Sequence, residues 1–160
     1  MHHADLGALC RLGASLADDR PTYGLSELSE AILTAAPWFR ESWIAFCADW
    51  AQPDAPGAHV MGDQLIAALE RLSPTAMPDL SHLASTIERF LVEGDKETRD
   101  AVAIGILEPV HSSIDEVPIL ESALVPLLGS RSRLVWDNIL RNNGYFRSDQ
   151  FSPGTARSTM

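Results

Sequence analysis

Apolar residues recur along this chain with the spacing of α-helices. The clearest stretch is residues 38–52, where Phe39, Trp43, Phe46 and Trp50 follow the i, i+4, i+7, i+11 pattern of one helix face. The same periodicity predicts helices over 4–18 and 59–72, and apolar helix faces within 25–33, 80–91, 101–110, 120–128 and 134–140. No segment alternates apolar and polar residues with the period of a strand. The pattern therefore predicts an all-α protein of about seven to eight helices.

Several turn signals separate these helices. Gly94 stands where a helix C-cap favours a left-handed residue, and Asp95 is a natural N-cap for the next helix. Residues 113–116, Ser-Ile-Asp-Glu, have the spacing of a capping box. Gly105 lies inside the most apolar helix, where a glycine costs about 1 kcal/mol against alanine. We therefore expect a neighbouring helix to approach closely at Gly105.

Two similar turns raise the possibility of a repeat. Gly94-Asp95 and Gly129-Ser130 are about 35 residues apart, which is the period of two-helix repeats such as HEAT units. An ordinary helical bundle with even loops gives the same pattern. The sequence thus predicts either an antiparallel helical bundle or a short HEAT-like stack of helix pairs. We expect a single helical domain over 1–144 and a partly disordered C-terminal tail over 145–160.

Composition and charge narrow the class of protein. The chain has 160 residues, is 46% hydrophobic and carries a net charge of −10, which argues against a nucleic-acid-binding protein. Its two cysteines, Cys10 and Cys47, are too few for a disulfide framework. No signal peptide or apolar run of membrane-spanning length is present in the sequence. We therefore expect a cytoplasmic protein that does not bind a membrane.

The sequence carries no motif of known chemistry. It lacks a Gly-rich phosphate loop, a zinc-binding His-Glu-x-x-His and a Gly-x-Ser-x-Gly nucleophile turn, and its histidines are scattered. The aromatic stripe of residues 38–52 either forms a ligand platform or belongs to the core, and we favour the core. Cys47, within the same stretch, is predicted to be a buried and unreactive thiol. We expect no catalytic residue, no metal site and no cofactor, and hence no enzyme.

The acids of residues 93–100 are predicted to be structural. Arg89 and Glu93 are four residues apart, as are Lys96 and Asp100, so their charges can cancel along one helix. Asp95 and Glu97 also suit the positive end of a helix dipole. We keep Glu93, Asp95 and Glu97 only as second-choice binding residues.

Two other segments carry acids without any lysine or arginine. One lies between Arg40 and Arg71, and the other lies between Arg99 and Arg131. Such acids form either a solvated face that keeps the protein soluble or a binding surface for a basic partner. The candidate partner-binding residues in these segments are Asp49, Asp54, Asp63, Asp115, Glu116 and Glu121.

Two phrases in the second half of the chain resemble those of a known family. Residues 90–108 read Phe-Leu-Val-Glu-Gly-Asp-Lys-Glu-Thr-Arg-Asp-Ala-Val-Ala-Ile-Gly-Ile-Leu-Glu, and residues 128–136 read Leu-Gly-Ser-Arg-Ser-Arg-Leu-Val-Trp. They resemble a bacterial family of uncharacterised, all-helical domains, over about residues 82–140. Small acidic relatives look like immunity proteins of polymorphic toxins.

That resemblance and the uncompensated acids lead to one hypothesis. The chain is expected to be a non-enzymatic immunity or antitoxin-like protein, whose acidic face binds and neutralises a basic toxin. The alternative is a helical-repeat adaptor or a regulatory subunit of a larger protein complex. A third class, a small hydrolase, would require an active-site cluster that only the folded structure can reveal.

Overall fold

The computed structural model describes residues 23–141, except for the side chain of Pro74. The predicted helix over 4–18, Cys10 and the predicted tail over 145–160 lie outside the described residues. The helices are α1 Leu25–Ala35, α2 Pro37–Ala48, α3 Ala58–Glu70, α4 Ser81–Glu93, α5 Lys96–Val102, α6 Glu108–Ser112, α7 Ile119–Leu124 and α8 Ser130–Arg141. The π-helical segment Ala103–Leu107 joins α5 and α6 into one continuous helix, and 3-10 turns occupy Pro74–Ala76 and Val125–Leu127.

Residues 23–141 contain no β-strand, which confirms the all-α prediction. Counting α5, the π segment and α6 as one helix gives seven helices in this part of the chain. Tyr23 makes an isolated parallel bridge with Gly94, so the segment before α1 lies against the turn between α4 and α5. Across residues 23–141, every helix is too short or too polar to traverse a bilayer.

Helix α4 lies at the centre of the packing. It contacts α1, α5 and α8, while α3 packs on α2, on the π segment and on α6. Helix α8 packs mainly on α4 and α6 rather than on α7. This arrangement supports the bundle alternative. The largest fully buried side chains come mainly from α1, α2, α3, α4, the π segment and α7: Ile32, Phe39, Met61, Leu65, Leu69, Leu80, Leu83, Ile87, Phe90, Ile106, Leu107 and Leu120.

The aromatic stripe of α2 belongs largely to the core. Phe39 is fully buried and Trp43 almost so, and their ring centroids are 5.9 Å apart. The stripe continues through Phe46 to Trp50, with centroid separations of 5.8 Å and 5.5 Å, and these last two rings are half-buried. Ring pairs at such separations stabilise a fold by more than the burial of their apolar area alone. The prediction that the stripe belongs to the core rather than to a ligand platform agrees with this burial.

Cys47 is a free thiol that is half-buried, and burial raises its pKa.

Two glycines allow α3 and the π segment to touch through their backbones. A Cβ atom on Gly62 would lie 2.0 Å from the carbonyl oxygen of Gly105. A Cβ atom on Gly105 would lie 2.8 Å from the Cβ of Ala58. Real Cβ atoms do not approach other atoms so closely. The structure therefore confirms the expected close approach of a neighbouring helix at Gly105.

Gly94 ends α4 as predicted, but not in the left-handed conformation. Its backbone is extended, with φ of −70° and ψ of 154°, which any residue can adopt. Space explains the glycine instead, because an added Cβ would lie 2.4 Å from the carbonyl oxygen of Phe90. The predicted N-cap at Asp95 is confirmed, since its carboxylate accepts a 2.8 Å hydrogen bond from the Thr98 amide.

The predicted capping box at residues 113–116 is wrong. The Ser113 hydroxyl donates to the carbonyl of Pro109 at 3.0 Å, so it closes the preceding helix rather than opening the next one. The amides of Glu116 and Val117 donate to the Ser113 carbonyl and form a tight turn. Helix α7 starts later, after its N-cap Pro118.

Candidate functional site: an acidic surface

All six candidate acids lie at the protein surface, and they come from two regions of the chain. Asp49 is the C-cap of α2, Asp54 lies in the loop that follows, and Asp63 lies on α3. The other three occupy the turn after α6 and the first turn of α7: Asp115, Glu116 and Glu121. Exposed carboxylates are available to a partner without any cost of opening the fold.

The packing of α3 joins the two segments that lack lysine and arginine. Helix α3 belongs to residues 41–70, and the π segment and α6 belong to residues 100–130. The Gly62–Gly105 contact and the packing of α3 on α6 place α3 of the first segment beside the π segment and α6 of the second. Together they contain ten acids, which equals the net negative charge of the whole chain. We call the exposed carboxylates of residues 41–70 and 100–130 the acidic surface.

The six candidate acids have little compensation nearby. Asp63 lies 3.7 Å from the Nε2 atom of His59, a pair that carries opposite charges only when the histidine is protonated. Within residues 23–141, no lysine or arginine forms an ion pair with any of the six. Asp100, at the edge of the surface, differs because Lys96 Nζ lies 2.7 Å from its carboxylate.

The carboxylates of the acidic surface do not form a metal site. Across the described part of the chain, no group of three or more His, Cys, Asp or Glu side chains is placed to hold a metal ion.

His111 adjoins the acidic surface and packs on α8. Its ring meets the edge of the Trp136 ring with a centroid separation of 4.8 Å, and its Nε2 atom is buried without a hydrogen-bond partner. Burial lowers the pKa of His111, and the carboxylates of Asp115 and Glu108 oppose that lowering. The neutral imidazole is therefore favoured, so His111 does little to offset the negative charge around it near pH 7.

Two of the acids of residues 93–100, Asp95 and Asp100, make the predicted structural contacts. The hydrogen bond from the Thr98 amide lowers the pKa of Asp95 and keeps it charged at the start of α5. The predicted Arg89–Glu93 ion pair is not formed. Instead, the Arg89 guanidinium lies over the Tyr23 ring at 5.1 Å from its centroid.

No pattern in the sequence indicates the main charged contact between helices. Glu88 on α4 accepts hydrogen bonds from the amides of Arg131 and Ser132, at 2.9 Å and 2.8 Å, and from the Ser132 hydroxyl. Its carboxylate therefore caps the N-terminus of α8 from another helix. An added Cβ on Gly129 would lie 2.4 Å from the Glu88 carboxyl carbon, so this glycine makes room for the cap.

A groove of about 740 Å³ lies between α1 and α4. Its charged side chains are already engaged: Glu30 pairs with Arg40 at 2.8 Å, and Arg89 lies on the Tyr23 ring. The groove contains His82 but no cysteine and no pair of groups arranged as nucleophile and base. Its composition does not point to a reaction.

The chain matches a known family model over most of its length. A family model described as a domain of unknown function (DUF7674) matches residues 29–144, which is more than half of the chain. The chain belongs to this family. The matched range extends from α1 through α8, well beyond the resemblance expected over residues 82–140, and includes both phrases of residues 90–108 and 128–136. The family carries no stated activity, and nothing in the match links it to immunity proteins. No curated protein and no solved structure matches the chain.

Proposed function

We propose that this chain is a non-enzymatic immunity or antitoxin-like protein that binds and neutralises a basic bacterial toxin. The observation that carries the proposal is the packing of α3 on the π segment and α6. This packing joins two segments with ten acids and no lysine or arginine. The acidic surface would cover a positively charged cleft of the toxin, for example that of a nuclease.

The stability of the fold accounts for few of these acids, although Glu121 lies in the first turn of α7, where the helix dipole favours a negative charge. Asp49 caps the C-terminus of α2, where the helix dipole disfavours a negative charge. Structural acids of this protein look different, since Glu88 and Asp95 accept hydrogen bonds from helix amides. Acids without such contacts are expected to act on solubility or on a partner.

A surface of this kind acts mainly on the rate of association. Complementary charge can raise an association rate from about 10⁵–10⁶ M⁻¹s⁻¹ toward 10⁸ M⁻¹s⁻¹ at low salt. Rapid capture suits a protein that must inactivate a toxin before the toxin reaches its target. Slow release would require buried anchor residues as well.

The test is affinity purification of the tagged chain from the organism that encodes it, followed by mass spectrometry. We expect a stoichiometric partner with a basic domain that stops growth when expressed alone and is harmless when the chain is co-expressed. Recovery of a non-toxic enzyme or secretion component in its place would contradict the proposal and favour the adaptor alternative.

A further inference from the structure

Helix α2 has an apolar face toward solvent as well as one toward the core. Its exposed residues recur at helical spacing opposite the buried Phe39 and Trp43: Pro37, Glu41, Ile44, Ala45 and Ala48. Ile44 leaves 58% of its surface exposed. From Ser42 to Ala48 the helix carries no charged residue. We call Ile44, Ala45 and Ala48 the α2 stripe.

No other helix among residues 23–141 packs substantially on this side of α2. Its main contacts are with α1 and α3, which cover the aromatic side. A shallow groove of about 320 Å³ runs along the start of the stripe, between Pro37, Arg40, Glu41 and Ile44. The small side chains of Ala45 and Ala48 leave room for another helix to approach closely.

The charged residues around the α2 stripe indicate that a protein segment bound there would carry positive charge. The stripe lies within residues 41–70, where all five charged side chains are acids, and Asp49 and Asp54 follow directly at its C-terminal end. Arg40, at the other end, is neutralised by Glu30 at 2.8 Å. A second copy of the chain fits poorly, because two copies would each bring a net charge of −10 to the contact.

We propose that the α2 stripe is the apolar anchor site for a basic amphipathic helix of the protein partner. Apolar side chains of that helix would pack on Ile44, Ala45 and Ala48, and its lysine or arginine residues would face Glu41, Asp49 and Asp54. The inference rests on the proposed function in that the partner is basic. The inference adds two points to the proposed function. The partner binds along α2, and it does so by packing one helix against another.

The experiment uses the full chain and a labelled synthetic helix of about 18 residues, with leucine on one face and lysine on the other. Fluorescence anisotropy at about 0.15 M salt gives the dissociation constant. The variant is Ile44→Gln, and the matched control is Leu140→Gln on α8, because Leu140 is 56% exposed and neither change alters the net charge. We expect Ile44→Gln to weaken binding about tenfold or more and Leu140→Gln to change it less than about twofold.

Four results would overturn the inference. They are no binding of the lysine helix, equal binding by the Ile44→Gln variant, equal binding of a control helix with glutamate in place of lysine, and self-association of the chain that Ile44→Gln abolishes. The last result, read by sedimentation equilibrium, would assign the stripe to a second copy.

Failure of the inference and failure of the proposed function give different results. Suppose that reversal of Asp115, Glu116 and Glu121 to lysine weakens binding of the basic partner, but that Ile44→Gln does not. The acidic surface is then supported, and the proposed anchor site on α2 is wrong. If binding depends on Ile44 but the basic partner recovered from the source organism is not toxic, the anchor site stands and the immunity function is wrong.

Discussion

Glu88 on α4 makes a charged contact with the start of α8. Its carboxylate receives two amide hydrogen bonds and one hydroxyl hydrogen bond from the first turn of α8. Burial favours the neutral acid, but the hydrogen bonds from Ser132 and from the Arg131 amide outweigh burial and lower the pKa of Glu88. The charged form is thus part of the folded structure.

Replacing Glu88 by alanine is expected to destabilise the fold by about 1–3 kcal/mol, because it leaves part-buried helix amides without an acceptor. The measurement is urea unfolding at pH 7, with Glu70→Ala, an exposed glutamate at the end of α3, as the control. A loss equal to that of the control would show that α8 does not need this cap.

The hydrogen bonds to Glu88 predict that the free energy of unfolding depends on pH. Because folding lowers the pKa of Glu88, its contribution is complete above the ordinary glutamate pKa of about 4.3 and is lost as the pH falls through the lower folded value. The difference in unfolding free energy between wild type and Glu88→Ala should therefore shrink below about pH 4. A difference that stays constant down to pH 3 would contradict a charged cap.

His111 should affect the stability of the fold at a higher pH than Glu88 does. Its lowered pKa means that the unfolded chain binds a proton more readily, so stability should fall as the pH decreases below about 6.5. His111→Phe keeps a ring against Trp136 and removes the unpartnered Nε2 atom, so it should flatten this pH dependence between about pH 7 and 5. Urea unfolding followed by tryptophan fluorescence at both pH values measures the effect. An unchanged slope would show that His111 does not titrate with folding.

At the scale of elements, the crossing of α3 and the π segment sets the architecture of the acidic surface. Gly62→Ala is expected to destabilise the protein by about 2–3 kcal/mol or more, since the new Cβ would meet the backbone of Gly105 rather than a movable side chain. Thermal unfolding measures the loss. Gly57→Ala is the control, because no atom lies within 4 Å of a Cβ at that position, and it should change stability by less than about 1 kcal/mol. Stabilisation by Gly62→Ala, as in an ordinary exposed helix, would contradict the close crossing.

The elements also show what the sequence can predict. Asp95 caps the amide of a residue three positions later, and the aromatic stripe from Phe39 to Phe46 repeats within α2, so both are visible as local patterns. Glu88 caps a helix that begins more than 40 residues later, and no local pattern encodes that pairing. Ser113 failed as a predicted cap because its hydroxyl can serve either neighbouring helix, and the structure uses it for the preceding one.

The candidate site divides in the same way. The sequence identifies which acids lack a nearby cation, because that is a count along the chain. It does not show that residues 41–70 lie against residues 100–130, since that contact depends on two glycines in different helices. The sequence also does not reveal the α2 stripe. The aromatic periodicity identifies the buried side of α2, whereas the exposure of Ile44 on the other side is seen only in the folded structure.

At the scale of the whole molecule, the central proposal is that a basic partner binds the acidic surface. Two variants with the same net charge separate this surface from charge in general. Asp115→Lys, Glu116→Lys and Glu121→Lys change the acidic surface, whereas Glu93→Lys, Glu97→Lys and Asp137→Lys change acids elsewhere. Each triple change moves the net charge from −10 to −4.

The decisive measurement is the association rate of each variant with the purified toxic partner at about 0.05 and 0.15 M salt, with circular dichroism as the check on folding. We predict that the Asp115, Glu116 and Glu121 variant associates about tenfold more slowly or worse at low salt and loses most of the salt dependence, while its spectrum and melting temperature stay close to those of wild type. The variant changed at Glu93, Glu97 and Asp137 should associate nearly as fast as wild type. Equal rates for the two variants, or a slower rate for the second one, would contradict the account.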